Sequence, residues 1–294
     1  MPRPSQTLLS ADDFVELADR IQSGQATESR PIGIPDVFGL VREGRIVSTG
    51  DSPAQPSLGQ HLAARPGVAT PYRLSQWTEA GDGWVAVNDR FEIDIHGSPS
   101  MTHLDTTEHF SWSHRPSTGT DGGNELVRIA SQGLVARGVL IDVPGILGRP
   151  VAGQVVTLED VETVLDKTGI VPLPGDALYF SFGRSAPASS TEPLGSAPTA
   201  GLSIECAEWV ASIRPSVVVT DEGLDPFPSE VEGLPIPWHV LLLTVLGIPL
   251  VDRATLVALS STCIELDRWT FASVMAPLPI PGASGSPINP LAIF

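Results

Sequence analysis

The sequence predicts a single α/β domain built on a mixed sheet, and three observations carry that expectation. Its 294 residues exceed the commonest domain size but suit one α/β unit with one large core. Hydrophobic residues make up 41% and charged residues 17%, which supplies ample apolar material to bury and argues against disorder. Short apolar runs at Leu134 to Val143, Ala177 to Phe182 and Ser216 to Thr220 alternate with helix-like segments, as strands covered on both faces do. The 28 Gly and 28 Pro, against 6% aromatic residues, predict many tight turns and ordered loops rather than long helices.

Taken in order, Ser10 is placed to cap a first helix, with Asp13 three residues on and Phe14, Leu17, Ala18 and Ile21 as its apolar stripe up to Gly24. The polar stretch Gln25 to Pro35 reads as a linker. It divides an N-terminal helix and linker, residues 1–35, from a main domain, residues 36–294. Gly44 reads as a helix stop before a strand, and Asp51 to Ala80, rich in Pro, Gly and Gln without periodicity, as loop. Trp84 to His96 alternates as a strand or hairpin, and Ser117 to Asn124 reads as a polar turn that forms a mobile lip. Thr157 opens a helix with Val161, Val164 and Leu165 on its apolar face and Gly169 as its stop, and Gly175-Asp176 turns into the strand from Ala177. After a loop from Ser185 to Ala200 come a helix at Leu202 to Val210 and a strand that ends at Asp221-Glu222, two acids at a strand end where α/β sites collect. Helices at Trp238 to Leu246 and Thr255 to Glu265, a strand at Trp269 to Ala276 and an extended Pro-rich tail from Pro277 to Phe294 complete the chain. The tail closes on Leu291-Ala292-Ile293-Phe294, whose apolar side chains must be buried in the core or under a neighbouring subunit.

Composition also excludes partners. A formal charge of −17, from 17 basic against 34 acidic residues, repels phosphate backbones and anionic lipid, so neither nucleic acid nor a membrane is expected as a partner. No run approaches the roughly 18 apolar residues of a membrane span, and Met1 to Ser5 lacks the apolar core of a signal peptide, so a soluble cytoplasmic protein is expected. Cys206 and Cys263 are too few and too far apart for a disulfide framework or a zinc knuckle and read as buried small hydrophobes. No Gly-rich phosphate loop followed by a lysine appears, so no nucleotide cofactor is indicated.

Function is sought first between Asp94 and His114, where four of the six histidines fall with acidic residues between them. His103 and Asp105 are two apart, so on a strand both side chains point to one face and can close on a single ion; imidazole beside carboxylate suits zinc, manganese or iron(II). His109 is near enough to share the pocket, and a neutral imidazole there is placed to act as a general base. Glu108 reads as a surface acid and His114 as a solvated loop residue.

The run His96-Gly97, Thr102-His103-Leu104-Asp105 and His109-Phe110 resembles the signature of the Putative cyclase family, which includes kynurenine formamidases and isatin hydrolases. Gly138 to Val143, the Leu173-Pro174-Gly175-Asp176 turn, Glu208-Trp209, His239 followed by Leu242-Leu243, and Gly285-Ser286-Pro287 resemble the family's longer branch in the same order. The resemblance spans about residues 36 to 294. It implies a barrel-like β core surrounded by helices, the swivelling β/β/α fold of the kynurenine formamidases. It also implies a divalent metal, zinc or manganese, held by His96, His103, Asp105, His239 and Asp252, with His109 as the base. The chain departs from the pattern at two positions. Pro99 stands where the short branch has its first metal-binding His, a place His96 takes if Gly97-Ser98-Pro99 bulges out, and Asp252 stands where the family has Glu. By the same resemblance the region before residue 80 covers the site, which makes Trp77 and Trp84 candidates for a substrate-facing wall, the alternative being that they plug the loop onto the core. Arg184 is a candidate partner for a substrate carboxylate or carbonyl, or else a structural salt bridge. The function implied is hydrolysis of an amide, lactam or polarised carbonyl of a small molecule by a homodimer. A polyketide-type cyclisation, or a metal-free member that serves as a binding protein, stands as the alternative.

Overall fold

A computed structural model describes residues 8–24, 34–51, 72–96, 101–112, 124–184 and 198–294. Thirteen strands are present among them. They are β1 (Ile46–Ser48), β2 (Tyr72–Gly81), β3 (Trp84–Ile93), β4 (His103–Asp105), β5 (Leu134–Asp142), β6 (Val155–Val156), β7 (Ala177–Ser181), β8 (Gly201–Leu202), β9 (Val217–Thr220), β10 (Leu250–Asp252), β11 (Thr270–Met275), β12 (Gly285–Pro287) and β13 (Leu291–Ile293). Nine of them form one curled half-barrel in the order β1-β13-β11-β5-β7-β9-β10-β4-β12. The run β5-β7-β9-β10 is parallel and both flanks are antiparallel, so the sheet is mixed as expected.

The strands read as continuous apolar runs because both faces are covered. Leu178, Phe180 and Val218 enter one core with Trp238, Leu241 and Phe14, while Ala177, Tyr179, Val217 and Val219 enter a second with Leu104, Phe271 and Phe294. Helix Ala11–Ser23 begins at Ser10, whose hydroxyl accepts the Asp13 N–H at 3.1 Å, and it docks Phe14, Ala18 and Ile21 onto the body. Helix Leu158–Thr168 carries a full capping box between Thr157 and Asp160 and stops at left-handed Gly169. No helix among the described residues is long and apolar enough to cross a membrane.

Four elements differ from their sequence reading. Residues 72–80, read as loop, belong to β2, which pairs with β3 in register from Tyr72↔Ile93 to Gly81↔Trp84; the signal was Asp82-Gly83, a two-residue hairpin turn with Gly83 at φ 79°. The segment read as one helix from residue 202 is a 3₁₀ turn, Ile204–Cys206, followed by an α-helix, Ala207–Ile213. The helix at 238–246 is α only over Pro237–His239 and continues as a π-helix, Val240–Leu246. The tail is not merely extended: β12 borders β4, and β13 inserts between β1 and β11. Residues 117–123 and 185–197 lie outside the described residues, as do His114 and Pro99.

Ala292 and Phe294 are therefore buried within the chain itself, while Leu291 and Ile293 are partly covered. Phe294 is fully buried, 5.4 Å from Phe271 between ring centroids and 5.1 Å beneath the Arg268 guanidinium. Phe294→Ala is expected to cost about 3–5 kcal/mol, the usual loss for a buried aromatic, with the urea midpoint as the readout.

Candidate metal centre

Strand β4 lies between β10 and β12, and the pairing decides what meets at its inner face. Leu104 points into the core with Tyr179 and Phe271, so His103 and Asp105 share the opposite side, where His103 Nε2 lies 3.4 Å from Asp105 Oδ1. Asp252 of β10 is the register partner of His103, and directly opposed residues project from the same face of a sheet. One donor atom from each of His103, Asp105 and Asp252 falls within 4.8 Å of the others, and all three residues are buried. His103 Nδ1 donates to the Met101 carbonyl at 2.7 Å, which leaves the Nε2 lone pair facing the acids.

On the other side, Gly285 of β12 opposes Asp105. A Cβ on Gly285 would lie 2.6 Å from the Leu104 carbonyl oxygen and 2.8 Å from His96 Nε2, so the glycine admits the His96 ring. His96 Nε2 reaches Asp105 Oδ1 at 2.9 Å, which places His96 at the site despite Pro99. His109 stacks on His96 with ring centroids 3.7 Å apart and planes 16° from parallel, and His96, Asp105 and His109 form a second close donor set. The loop that carries His109 is pinned by Thr106, which bonds the Ser284 carbonyl through both N–H and hydroxyl, and by Thr107, which donates twice to the Glu125 carboxylate.

His239 arrives from the first turn of its helix. Asp225 accepts the Trp238 N–H at 2.6 Å and the His239 N–H at 3.3 Å, and it takes His239 Nδ1 at 2.5 Å. Nε2 then faces Asp252 Oδ2 at 3.1 Å and Asp105 Oδ2 at 3.8 Å. Asp225 itself is set by Gly201, because a Cβ there would lie 2.2 Å from the Pro226 nitrogen and 2.5 Å from the Asp225 carbonyl carbon.

The environment pulls these groups apart. Burial opposes the charge on Asp105, but His103, His96, His109 and His239 outweigh it and hold the carboxyl below its usual range. Burial pushes His109 down to about 4 against the pull of Asp105, so its imidazole is neutral near pH 7. Burial likewise opposes charge on His239, yet Asp252 and Asp225 raise it well above its ordinary value. Asp105 Oδ2 and Asp252 Oδ1 are buried and accept no hydrogen bond among the described residues. Two carboxylate oxygens without donors, beside an outward imidazole lone pair, are what a hard or borderline divalent cation satisfies.

Beside this cluster opens a cavity of about 270 Å³, whose described walls include Phe110, Pro226, Phe227, Pro235 and Ile236 with Glu222 and Arg253. All six histidine and aspartate candidates, His96, His103, Asp105, His109, His239 and Asp252, line it. Trp77 and Trp84 do not: they stand 49% and 53% exposed on the β2–β3 hairpin. Arg184 is engaged away from the described wall, with Nη1 on the Asp221 carbonyl at 3.2 Å and Nη2 3.7 Å from Asp51. Of the two strand-end acids, Asp221 binds the backbone N–H groups of Phe182, Gly183 and Arg184, whereas Glu222 faces the cavity. Asp225 and Arg253 were not singled out from sequence. Asp225 sits 14 positions before the histidine it orients, with no local pattern linking them.

A family model described as Putative cyclase matches residues 51–224. No curated protein matches at a significant level. Among solved structures, one described as a novel cyclase superposes with TM-score 0.73 at 21% identity, covering 93% of both chains. Isatin hydrolase A from Ralstonia solanacearum superposes with TM-score 0.59 at 23% identity, covering 91% of this chain and 99% of its own. At these identities the likeness shows the fold.

In metal-free protein, the His109 ring signals are expected to titrate by NMR with a midpoint near 4, while His239 shows no midpoint below 6.5. The two act oppositely on stability. His109 takes its proton less readily folded than unfolded, so its contribution is lost as pH falls from 6.5 through about 4. His239 holds its proton more tightly when folded, so its contribution is full below 6.5 and is lost as pH rises through its raised value.

Proposed function

The chain belongs to the Putative cyclase family, and from that membership we propose that it is a metal-dependent hydrolase or cyclase acting on an amide, lactam or polarised carbonyl of a small organic molecule. The observation that carries the reading is the pair of buried carboxylate oxygens, on Asp105 and Asp252, left without donors beside His103 Nε2. The same pair weighs against a metal-free binding protein, because buried unsatisfied charge is costly unless a cation meets it.

His103, Asp105 and Asp252, with His96 and His239 beside them, would hold the ion, zinc or manganese. When bound, such an ion supplies the Lewis acidity that activates water and polarises a carbonyl. The chain's own groups do the rest. Asp225 keeps the Nδ1 of His239 occupied so that Nε2 stays turned to the acids. His109, neutral near pH 7, has a lone pair that accepts a proton, from water in hydrolysis or from the carbon beside a ketone in cyclisation. Its low basicity makes the resulting imidazolium a strong acid, suited to protonating a departing nitrogen. Phe110, Phe227 and Ile236 give the substrate an apolar bed that excludes water.

A homodimer is part of this reading, and the β2–β3 hairpin supports it. Among the described residues the hairpin pairs with no other strand, and it exposes Leu74, Val85, Val87 and Phe91 on one face and Trp77 and Trp84 on the other. A two-stranded ribbon is marginal alone, and the apolar face formed by Leu74, Val85, Val87 and Phe91 is of the kind that marks an interface. Val85 and Val87, with Leu74 and Phe91, would then meet a second subunit. Light scattering is expected to give twice the chain mass for the native protein and a single chain for Val85→Lys/Val87→Lys; a monomeric native protein would end the proposal.

Metal content by elemental analysis, with turnover on cyclic amides such as the isatin named for the hydrolase neighbour, tests the division of labour. His103→Ala should lose metal and activity together. His109→Ala should keep its metal and lose about two to four orders of magnitude in rate. Equal metal loss in both variants would make His109 a ligand, and an unimpaired His109→Ala would remove it from the mechanism.

A further inference from the structure

Arg253 combines three properties that no other described residue shares. It lines the cavity directly after Asp252, and among the titratable side chains of the described wall it is the one permanent cation, the rest being carboxylates and imidazoles. The residue is half-buried and its guanidinium makes no hydrogen bond or ion pair with the described residues, whereas nearby Arg184 is engaged by Asp221 and Asp51. Its backbone is left-handed, with φ 62°.

That conformation is uncommon outside glycine and carries a cost of order 1–3 kcal/mol unless its surroundings impose it. Two other non-glycine residues among those described share it, Arg214 and Asp267, and both close the C-terminal ends of helices, where left-handed residues are routine. Arg253 ends a strand instead. Its carbonyl accepts the Thr102 hydroxyl at 2.7 Å, that hydroxyl accepts the Asp51 N–H at 2.6 Å, and the next N–H, of Ala254, donates to Thr220 at 2.9 Å. The first and last of these bonds use the backbone at 253 and 254, and none of the three uses the Arg253 side chain. Glycine would serve this backbone better, so packing and hydrogen bonding give the side chain no structural reason to be there.

We infer that Arg253 is a specificity-determining residue that binds a carboxylate or comparable oxyanion on the substrate, so that the enzyme takes acidic molecules with a flat apolar body. The inference rests on the metal-dependent reading for what happens to the bound molecule, but not for the binding itself. A planar fork of N–H donors matches a carboxylate in two parallel bonds, which a lysine does not reproduce. Glu222, Asp225 and Asp252 on the same wall repel an anion, so the guanidinium is the place among the described residues where one is admitted. Phe110, Phe227 and Ile236 supply the apolar bed for the remainder.

Benzoate and benzamide, equal in shape and different in charge, are the probes. Their affinities are measured by calorimetry on the native protein, Arg253→Gly and Arg253→Lys, each both manganese-loaded and chelator-treated. The native protein is expected to prefer benzoate about ten- to a hundredfold, the range for hydrogen bonds to a charged partner. Arg253→Gly should abolish that preference with benzamide affinity and thermal midpoint retained or raised, and Arg253→Lys should restore it in part. A preference that survives Arg253→Gly, equal binding of the two probes by the native protein, or binding of neither, overturns the assignment. Failure to take up manganese would overturn the metal reading alone, because the comparison between probes stands in the chelator-treated protein.

Discussion

A single carboxylate withdrawn from water, that of Asp105, is the constraint on which the site depends. A buried charge is tolerated only when opposite charge or donors surround it, and here the imidazoles of His96, His103, His109 and His239 converge from different parts of the chain. Each arrives by a different structural route. His103 comes by strand alternation, His96 through the space left by Gly285, His109 on a loop tied to Glu125 and Ser284, and His239 on a helix start held by Asp225. The mixed sheet makes the convergence geometrically consistent. Antiparallel pairing on both sides of β4 places Asp252 and Gly285 opposite the two residues that need them.

The surroundings then assign opposite tendencies to chemically identical side chains. His239 is enclosed by Asp225 and Asp252 and favours its proton, whereas His109, packed on His96 and removed from water, resists one. Titratable groups driven apart in this way are a feature of acid–base sites. A purely structural cluster has no need of the difference.

Much of this was legible in the sequence where the physics is local. A helix cap at Ser10, a capping box at Thr157, the glycine stop at Gly169 and the two-residue spacing of His103 and Asp105 each depend on neighbours within a few positions. His96, His239 and Asp252 were reached through family resemblance, and the structure brings all three to the cavity. What escaped depends on distance or context. Asp225 is tied to His239 through space, β13 is a strand only because β1 and β11 flank it, and the left-handed turn at Arg253 follows from bonds to Thr102 and Thr220. The strand 72–81, mixed in polarity, was masked by its Pro- and Gly-rich approach, although the Asp82-Gly83 turn was a usable signal.

The π-helix at Val240–Leu246 has a consequence for how this chain tolerates insertions and deletions. A π turn is an α turn with one residue too many, and every side chain from Val240 to Val245 is buried. Removing one of the aliphatic residues among them would barely alter hydropathy, yet it would restore the tighter pitch and turn one end of the segment against the other by about 100°. His239 lies at one end, and the path to Asp252 leaves from the other. The frame of this helix, more than its composition, therefore sets the angle at which imidazole and carboxylate face each other. Two homologous sequences that differ there by a single gap would present different sites behind nearly identical apolar runs.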